Sequence, residues 1–349
     1  MLALLIRFSI RYYGIILLLA LLVLVYGGYR FMTAGLDIFP NFAPKQVLIQ
    51  TEAPGFSTEQ VEILITQPIE KVLSGLVGLQ TVRSESIQGL SVVKAIFAES
   101  SDIYRNRQLV SERLATLTLG VAVPRIVPLS SASATVLTMG LQSDTQDLMQ
   151  LRSLVDWVLV PRLLSVPGVA DVNVFGGDIK QLQLQIKPEQ LRRYQITVDE
   201  VIATAEQAGK IQAGGFVENS NQRFMLAVNG YASTPEQLKH IVLQRLQGEN
   251  ITLGDVADIQ FAPEPPISGA QIMGKQGVVL MVIGQYEANT LTVSRAVEQA
   301  ISELDGLFKA QQIQYFPQLF RPADYIERSV HNLSGHLLLG GGFVLLVLY

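Results

Sequence analysis

The chain has 349 residues, 49% hydrophobic and only 16% charged, with a net charge of −4. There is no cysteine, so disulfides, thiolate metal sites and cysteine nucleophiles are excluded. No basic run exists, which removes the electrostatic footprint of a nucleic-acid binder, and three histidines (His240, His331 and His336) leave little material for an imidazole cluster.

The apolar excess sits at the two ends. Tyr12 to Tyr29, "YYGIILLLALLVLVYGGY", is 18 consecutive uncharged residues, the lower limit for a membrane span. Arg7 and Arg11 precede it, and Tyr12, Tyr13, Tyr26 and Tyr29 occupy interfacial positions. A cleaved signal peptide competes, but no small-x-small cleavage site follows, so the run reads as an uncleaved anchor with a cytoplasmic N-terminus.

The segment between the ends has a repeated grammar. "KQVLIQTEA" (Lys45 to Ala53) alternates like a strand. "STEQVEILITQPIEKVL" reads as a helix with Ser57 and Thr58 as cap candidates and Pro68 as a kink. "TVRSESI" and "LSVVKAIF" read as a hairpin turning at Gln88-Gly89, and "DIYRNRQLVSERLATL" as a second helix, where Arg105 could meet Asp102 one turn away. The order then recurs. "ATVLTMGLQ" is a strand, and "DLMQLRSLVDWVLVPRLLSV" a helix with Asp147 as cap, Pro161 as kink and Trp157 as a core anchor. "GVADVNVF" and "IKQLQLQIK" form a second hairpin around Gly176-Gly177. Gly78 and Gly168 open the two hairpins 90 residues apart, the mark of an internal duplication. The β-α-β-β units fit ferredoxin-like split βαβ modules.

After Lys187 the pattern changes to short helices, then two strands around the polar turn Glu218 to Asn221, then a strand running into "APEPP". The βαβ grammar resumes with "GVVLMVIGQ", "NTLTVSRAVEQAISEL" and "IQYFPQLF". Residues from Pro188 to about Ile267 therefore read as an insertion in the second module. From Ser329 to Tyr349 there are 21 residues without Asp, Glu, Lys or Arg. This reads as the start of a second span, in a chain that is the first part of a longer membrane protein.

"GLDIFPNFAPKQVLIQTEAPGFSTEQVE" resembles the entrance to the periplasmic part of resistance-nodulation-division (RND) efflux pumps. "TQPIEKVLSGLVGL", "VRSESIQGLS", "DIYRNRQLVSERL", "SVPGVADVNVFGG" and "LRRYQITVDEVI" resemble the heavy-metal-efflux branch, the copper/silver and cobalt–zinc–cadmium exporters. The resemblance runs along essentially the whole chain. Ala208-Gly209 stands where many relatives carry asparagines.

The resemblance implies an α+β fold: duplicated ferredoxin-like modules with an inserted docking subdomain, flanked by transmembrane helices. Its divisions would be 1–34 (cytoplasmic N-terminus and first span), 35–132 (first porter subdomain), 133–187 with 268–326 (second porter subdomain), 188–267 (docking subdomain with an arm) and 327–349 (start of the second span). It also implies a bacterial inner-membrane protein, a homotrimer working with a periplasmic adaptor and an outer-membrane channel. The bilayer surrounds it, its cargo is a metal cation moved against protons, and neither nucleic acid nor a cofactor is involved. The arm, Ile211 to Val228, would reach a neighbouring protomer through Ile211, Phe216, Val217, Glu218, Asn219 and Phe224.

The residues alone carry less. No catalytic constellation appears, so an enzyme is not expected. A pump for organic compounds, or a membrane-anchored adaptor or binding module, stays open as an alternative. No acidic residue lies in either apolar run, so a proton relay is not expected there. Met139, Met225, Met273 and Met281 sit in strand-like apolar contexts and read as core. A substrate cleft would draw its wall from the second module, through Thr135, Leu137, Met139, Met281 and Ile283.

Overall fold

The computed structural model describes residues 8, 11–33, 44–120, 123–210, 213–218, 223–227, 231–246, 248–265 and 269–348. Helix α1 (Tyr13–Thr33) stands with no part of Tyr13–Arg30 buried. Among the described residues it alone is long and apolar enough to cross a membrane.

The first module begins with β1 (Gln46–Glu52), whose Val47, Ile49 and Thr51 point inward. Helix α2 follows as Thr58–Val61, a π-turn over Glu62–Thr66, and Gln67–Leu73. Ser57 and Gln60 close a reciprocal capping box at its start, satisfying backbone donors that a helix otherwise leaves open. The expected kink at Pro68 is resolved by the π-turn. Proline cannot donate to the carbonyl four residues back, and the turn just before it widens so that Gln67 donates its backbone N–H to Glu62. β2 (Leu79–Ile87) and β3 (Leu90–Phe97) form the expected hairpin, then come α3 (Ile103–Ala115) and β4 (Arg125–Ile126). The sheet order is β2-β3-β1-β4, all antiparallel. Val61, Ile65, Ile69 and Leu73 of α2 pack on Ile49, Val93 and Ala95, with Val110 of α3 closing the core.

The second module repeats this order with a detour. It has β5 (Ser130–Ser143), then α4 (Leu148–Leu154, a π-turn over Val155–Leu159, and Val160–Leu164), then β6 (Val169–Gly176). The π-turn again directly precedes a proline, Pro161, and Val160 donates to Val155. The expected second hairpin does not form. β7 (Lys180–Ile186) leaves the sheet. The chain exits through Gly176 and Gly177, both at φ +72°, a left-handed conformation that glycine adopts without a Cβ clash.

β7 opens the insertion. α5 (Pro188–Tyr194), α6 (Val198–Gly209), β8 (Ala213–Glu218), β9 (Arg223–Ala227), α7 (Pro235–Lys239), β10 (Val242–Leu246), β11 (Glu249–Thr252) and α8 (Leu253–Val256) follow. β12 (Ala257–Pro263) returns antiparallel along all of β7, from Ala257 beside Ile186 to Pro263 beside Lys180. The two strands are a stem, so the departure from the second module begins at β7 rather than at Pro188. Leu191, Val201, Leu253, Val256 and Ile259 form a core separate from those of the two modules.

The chain re-enters through the small hairpin β13 (Gln271–Ile272) and β14 (Lys275–Gln276), then β15 (Val278–Gln285), α9 (Thr290–Ser302), α10 (Asp305–Ala310) and β16 (Ile313–Phe320). The sheet order is β16-β5-β15-β6. Counted within its module, β15 is the third strand, and the order equals that of the first sheet. Leu137, Met139, Leu141, Leu159, Leu163, Leu280, Val282 and Val297 fill the core. Helix α11 (Ala323–Leu348) ends the described chain; Leu337, Leu338, Leu339, Phe343 and Leu346 are exposed along it.

The glycine exit can be tested directly. A Cβ at Gly176 would lie 2.6 Å from the Gly277 carbonyl oxygen, whereas one at Gly274 (φ +81°) meets nothing within 4 Å. Gly274→Ala carries backbone strain alone and should cost about 1–2 kcal/mol. Gly176→Ala adds a clash and should cost about 2–5 kcal/mol, read as denaturant unfolding of the two variants side by side.

Candidate functional site

Alternation along β5 and β15 divides the expected cleft residues. Leu137 and Met139 are 0% exposed and face the helices, so they belong to the core and line no cleft. Thr135, Met281 and Ile283 are half-buried; Met281 and Ile283 lie on the sheet face turned away from the helices, with Met281 opposite Asn173 and Ile283 opposite Asp171. Only Ile283 of the five lines a groove between the modules. That groove, about 590 Å³, is also walled by Leu48, Gln50 and Glu52 of β1, Arg125 of β4, and Asp171 and Asn173 of β6. Period-two alternation explains the pairing: residues of β1 outside the first core and residues of β6 outside the second meet across it.

The groove walls mix the polar groups of Gln50, Glu52, Arg125, Asp171 and Asn173 with apolar Leu48, Val123, Val127, Pro128 and Ile283, and include no sulfur or imidazole. Soft cuprous or silver ions prefer sulfur, and zinc or cobalt accept imidazole and carboxylate. Among the described residues no three of His, Cys, Asp and Glu are grouped closely enough to hold a metal ion. The groove can guide a hydrated cation electrostatically, but it is not a coordination cage.

Three residues expected in the core are outside it: Met281, on the outer sheet face, Met273 and Trp157, while the side chain of Met225 lies outside the described ones. Met273 is 85% exposed, at φ +50° in the turn of the β13–β14 hairpin. That hairpin is strapped across the open sheet face. Ile272 covers the bare Gly140, and Gln142 Nε2 donates to the Ile272 and Lys275 carbonyls at 2.6 and 3.0 Å. With Ile272 pointing inward, Met273 must point out. Trp157 is 82% exposed. It falls in the π-turn of α4, where Val155 and Leu159 take the buried positions and the wide turn rotates Trp157 to the surface. Asp102 caps α3, accepting the Arg105 backbone N–H at 2.9 Å, in place of the expected side-chain pair.

The arm is present as backbone. Phe216 pairs with Met225, Val217 with Phe224 and Glu218 with Arg223. Ile211 and Asn219, with most of the polar turn, lie outside the described residues.

Sequence reasoning missed the joint between the second module and α11. The Arg321 side chain is 8% exposed and meets three carboxylates. Its Nε donates to Glu298 of α9 at 2.6 Å, and one terminal nitrogen reaches Asp324 at 2.5 Å and Glu327 at 3.0 Å, both on α11. Arg295 of α9 adds a 2.9 Å bond to Glu327. A guanidinium presents a fixed fork of donors that suits several carboxylates at once. Hydrogen bonding to Glu298 foremost pushes the Arg321 pKa up against the effect of burial, and Arg321 and Arg295 hold the Glu327 carboxyl below its usual range. The signal was legible only in part: Arg321 precedes Pro322 and an acidic helix start, but Glu298 is 23 residues earlier.

The sign of the pH dependence follows. A carboxylate whose folded pKa is depressed contributes stability above its unfolded value, near 4, and loses it as pH falls through the folded value. The joint should therefore weaken on acidification below about pH 4, and Glu327→Gln should flatten that part of a stability–pH curve.

Residues 5–349 match the AcrB/AcrD/AcrF family. Protein HelA of Legionella pneumophila is 28% identical over all of this chain and 34% of its own length. The cation efflux system protein CusA of Escherichia coli K12 is 30% identical over 95% of this chain and 32% of its own. A crystal structure of a heavy metal efflux pump superposes with a TM-score of 0.84 at 25% identity, covering 96% of this chain and 34% of that one. The chain thus spans about a third of the length of these relatives. With the family matched along nearly every residue and the fold matched with it, the chain belongs to the AcrB/AcrD/AcrF family of resistance-nodulation-division transporters.

Proposed function

We propose that this chain is the N-terminal portion of a proton-driven RND exporter of heavy-metal cations, seated in a bacterial inner membrane with its N-terminus cytoplasmic. The single observation that carries this reading is the end-to-end likeness, in sequence and fold, to heavy-metal efflux pumps. Helix α1 would anchor the chain, and the exposed apolar part of α11 would enter the bilayer a second time.

In this reading the two modules are ferredoxin-like porter subdomains, since each has the strand order second-third-first-fourth. The insertion on the β7–β12 stem is the docking subdomain, and its β8–β9 arm reaches the next protomer of a trimer. The groove between modules, which has neither sulfur nor imidazole in its lining, is a passage wall rather than a ligand set. Proton relay groups are not supplied by Tyr13–Tyr29, which carries no ionisable acid or base of the kind a relay needs. An adaptor and an outer-membrane channel would complete the route outward.

Two outcomes test this. A metal-sensitive bacterium expressing the whole protein should tolerate several-fold more zinc, cobalt, cadmium, copper or silver than one expressing residues 1–349; equal growth on every metal would refute the reading. Deleting 213–224 from the whole protein should weaken the trimer in native mass spectrometry while leaving each protomer folded by circular dichroism.

A further inference from the structure

We infer that the groove between α9 and the start of α11 binds the phosphate headgroup of an anionic phospholipid. The inference rests on the reading that α11 enters the bilayer. The groove, about 850 Å³, is lined by Leu291 and Arg295 of α9 and by Glu327, Arg328, His331, Asn332 and Ser334 of α11.

Depth is the first reason. The exposed apolar part of α11 begins at Leu337. At 1.5 Å per residue, Ser334, Asn332 and His331 stand roughly 5, 8 and 9 Å up the axis from Leu337. The polar layer on each side of a bilayer is about 5–7 Å thick, so these donors sit at and just above headgroup depth. Tyr325 and Leu333, 59% and 54% exposed, add the amphipathic character of an interfacial stretch.

Charge is the second reason. Glu327 is the one carboxylate in the lining, and its oxygens accept from Arg321 and Arg295. Arg328 has no carboxylate partner among the described residues. The Arg295 side chain is 63% exposed in its pair with Glu327, and such a surface pair is weak enough to share a guanidinium with a phosphate. Arg328, Arg295 and the amide and hydroxyl of Asn332 and Ser334 give a phosphate several donors and no uncommitted carboxylate. Leu291 supplies an apolar wall for the glycerol end of a lipid.

The test uses the full chain in detergent, titrated with phosphatidylglycerol, phosphatidylcholine or inorganic phosphate and read by native mass spectrometry. Phosphatidylglycerol should bind, and Arg328→Gln should weaken it about fivefold, the worth of one basic side chain at an anionic surface. Lys309→Gln, a distant exposed change, should leave it unaltered. Equal binding by the parent and Arg328→Gln would overturn the inference, and competition by millimolar inorganic phosphate would assign the site to the free ion instead. A nitroxide on Leu338→Cys, in nanodiscs, separates the two levels of failure. If the label is reached by water-soluble nickel rather than oxygen, the membrane reading of α11 falls. If the label is in lipid and headgroup binding is unchanged by Arg328→Gln, only the headgroup site falls.

Discussion

Each four-stranded sheet in this chain can be covered by helices on one face only, because both crossover helices of a module pack on the same side. Burial of that face supplies the stability: Ile49, Ile65, Ile69 and Val93 in one module, and Leu137, Met139, Leu159 and Leu280 in the other, are all 0% exposed. Each fully buried aliphatic side chain contributes about 1.5–3 kcal/mol. The opposite face is then left over, and the groove between the modules is made of two such faces. The polar character of its walls, from Gln50 and Glu52 to Asp171 and Asn173, is what alternation leaves on strands whose other side is apolar.

The two crossover helices solve the same local problem in the same way. Each carries a proline mid-course and each inserts a π-turn just before it. The wide turn gives the residue before the proline a carbonyl five positions back, so the backbone around the break stays bonded. It also turns residues outward that a regular helix would bury. Leu64 in α2 and Trp157 in α4, each four residues before its proline, are both exposed. In the first module the π-turn further holds Thr66, whose hydroxyl lies 2.7 and 2.8 Å from those of Ser86 and Ser91. Helix and sheet are thereby joined by a buried polar contact as well as by packing.

The joint at Arg321 has a different energetic character. Taking a guanidinium out of water is costly unless it is fully paired. Here three carboxylates surround Arg321, and Arg295 shares one of them, so both guanidiniums are paired. Because its members come from α9, from the end of β16 and from the first turns of α11, it holds α11 to the second module at the point where the polar domain ends.

The class of the chain was written in its linear pattern. A 3.6-residue period marks α2 and α4, a two-residue period marks β1, an unbroken apolar run marks β15, and a longer uncharged run marks α1. Cap residues such as Ser57 and Asp147 and the proline positions could be read because they act within a few residues. The duplication was legible for the same reason, since Gly78 and Gly168 open equivalent turns. What the pattern could not hold was partner choice over long separations. "IKQLQLQIK" alternates correctly for a strand, but nothing in it says that its mate is β12 rather than β6; Gly176, Gly177 and the space taken by Ala270 and Gly277 decided that. Period two placed Leu137 and Met139 on one face together, but not which face the helices would cover. Trp157 is apolar and large, and only the π-turn put it in solvent. The groove and the Arg321 network are built from residues up to 235 positions apart, such as Leu48 and Ile283, and such contacts exist only once packing has chosen which surfaces meet.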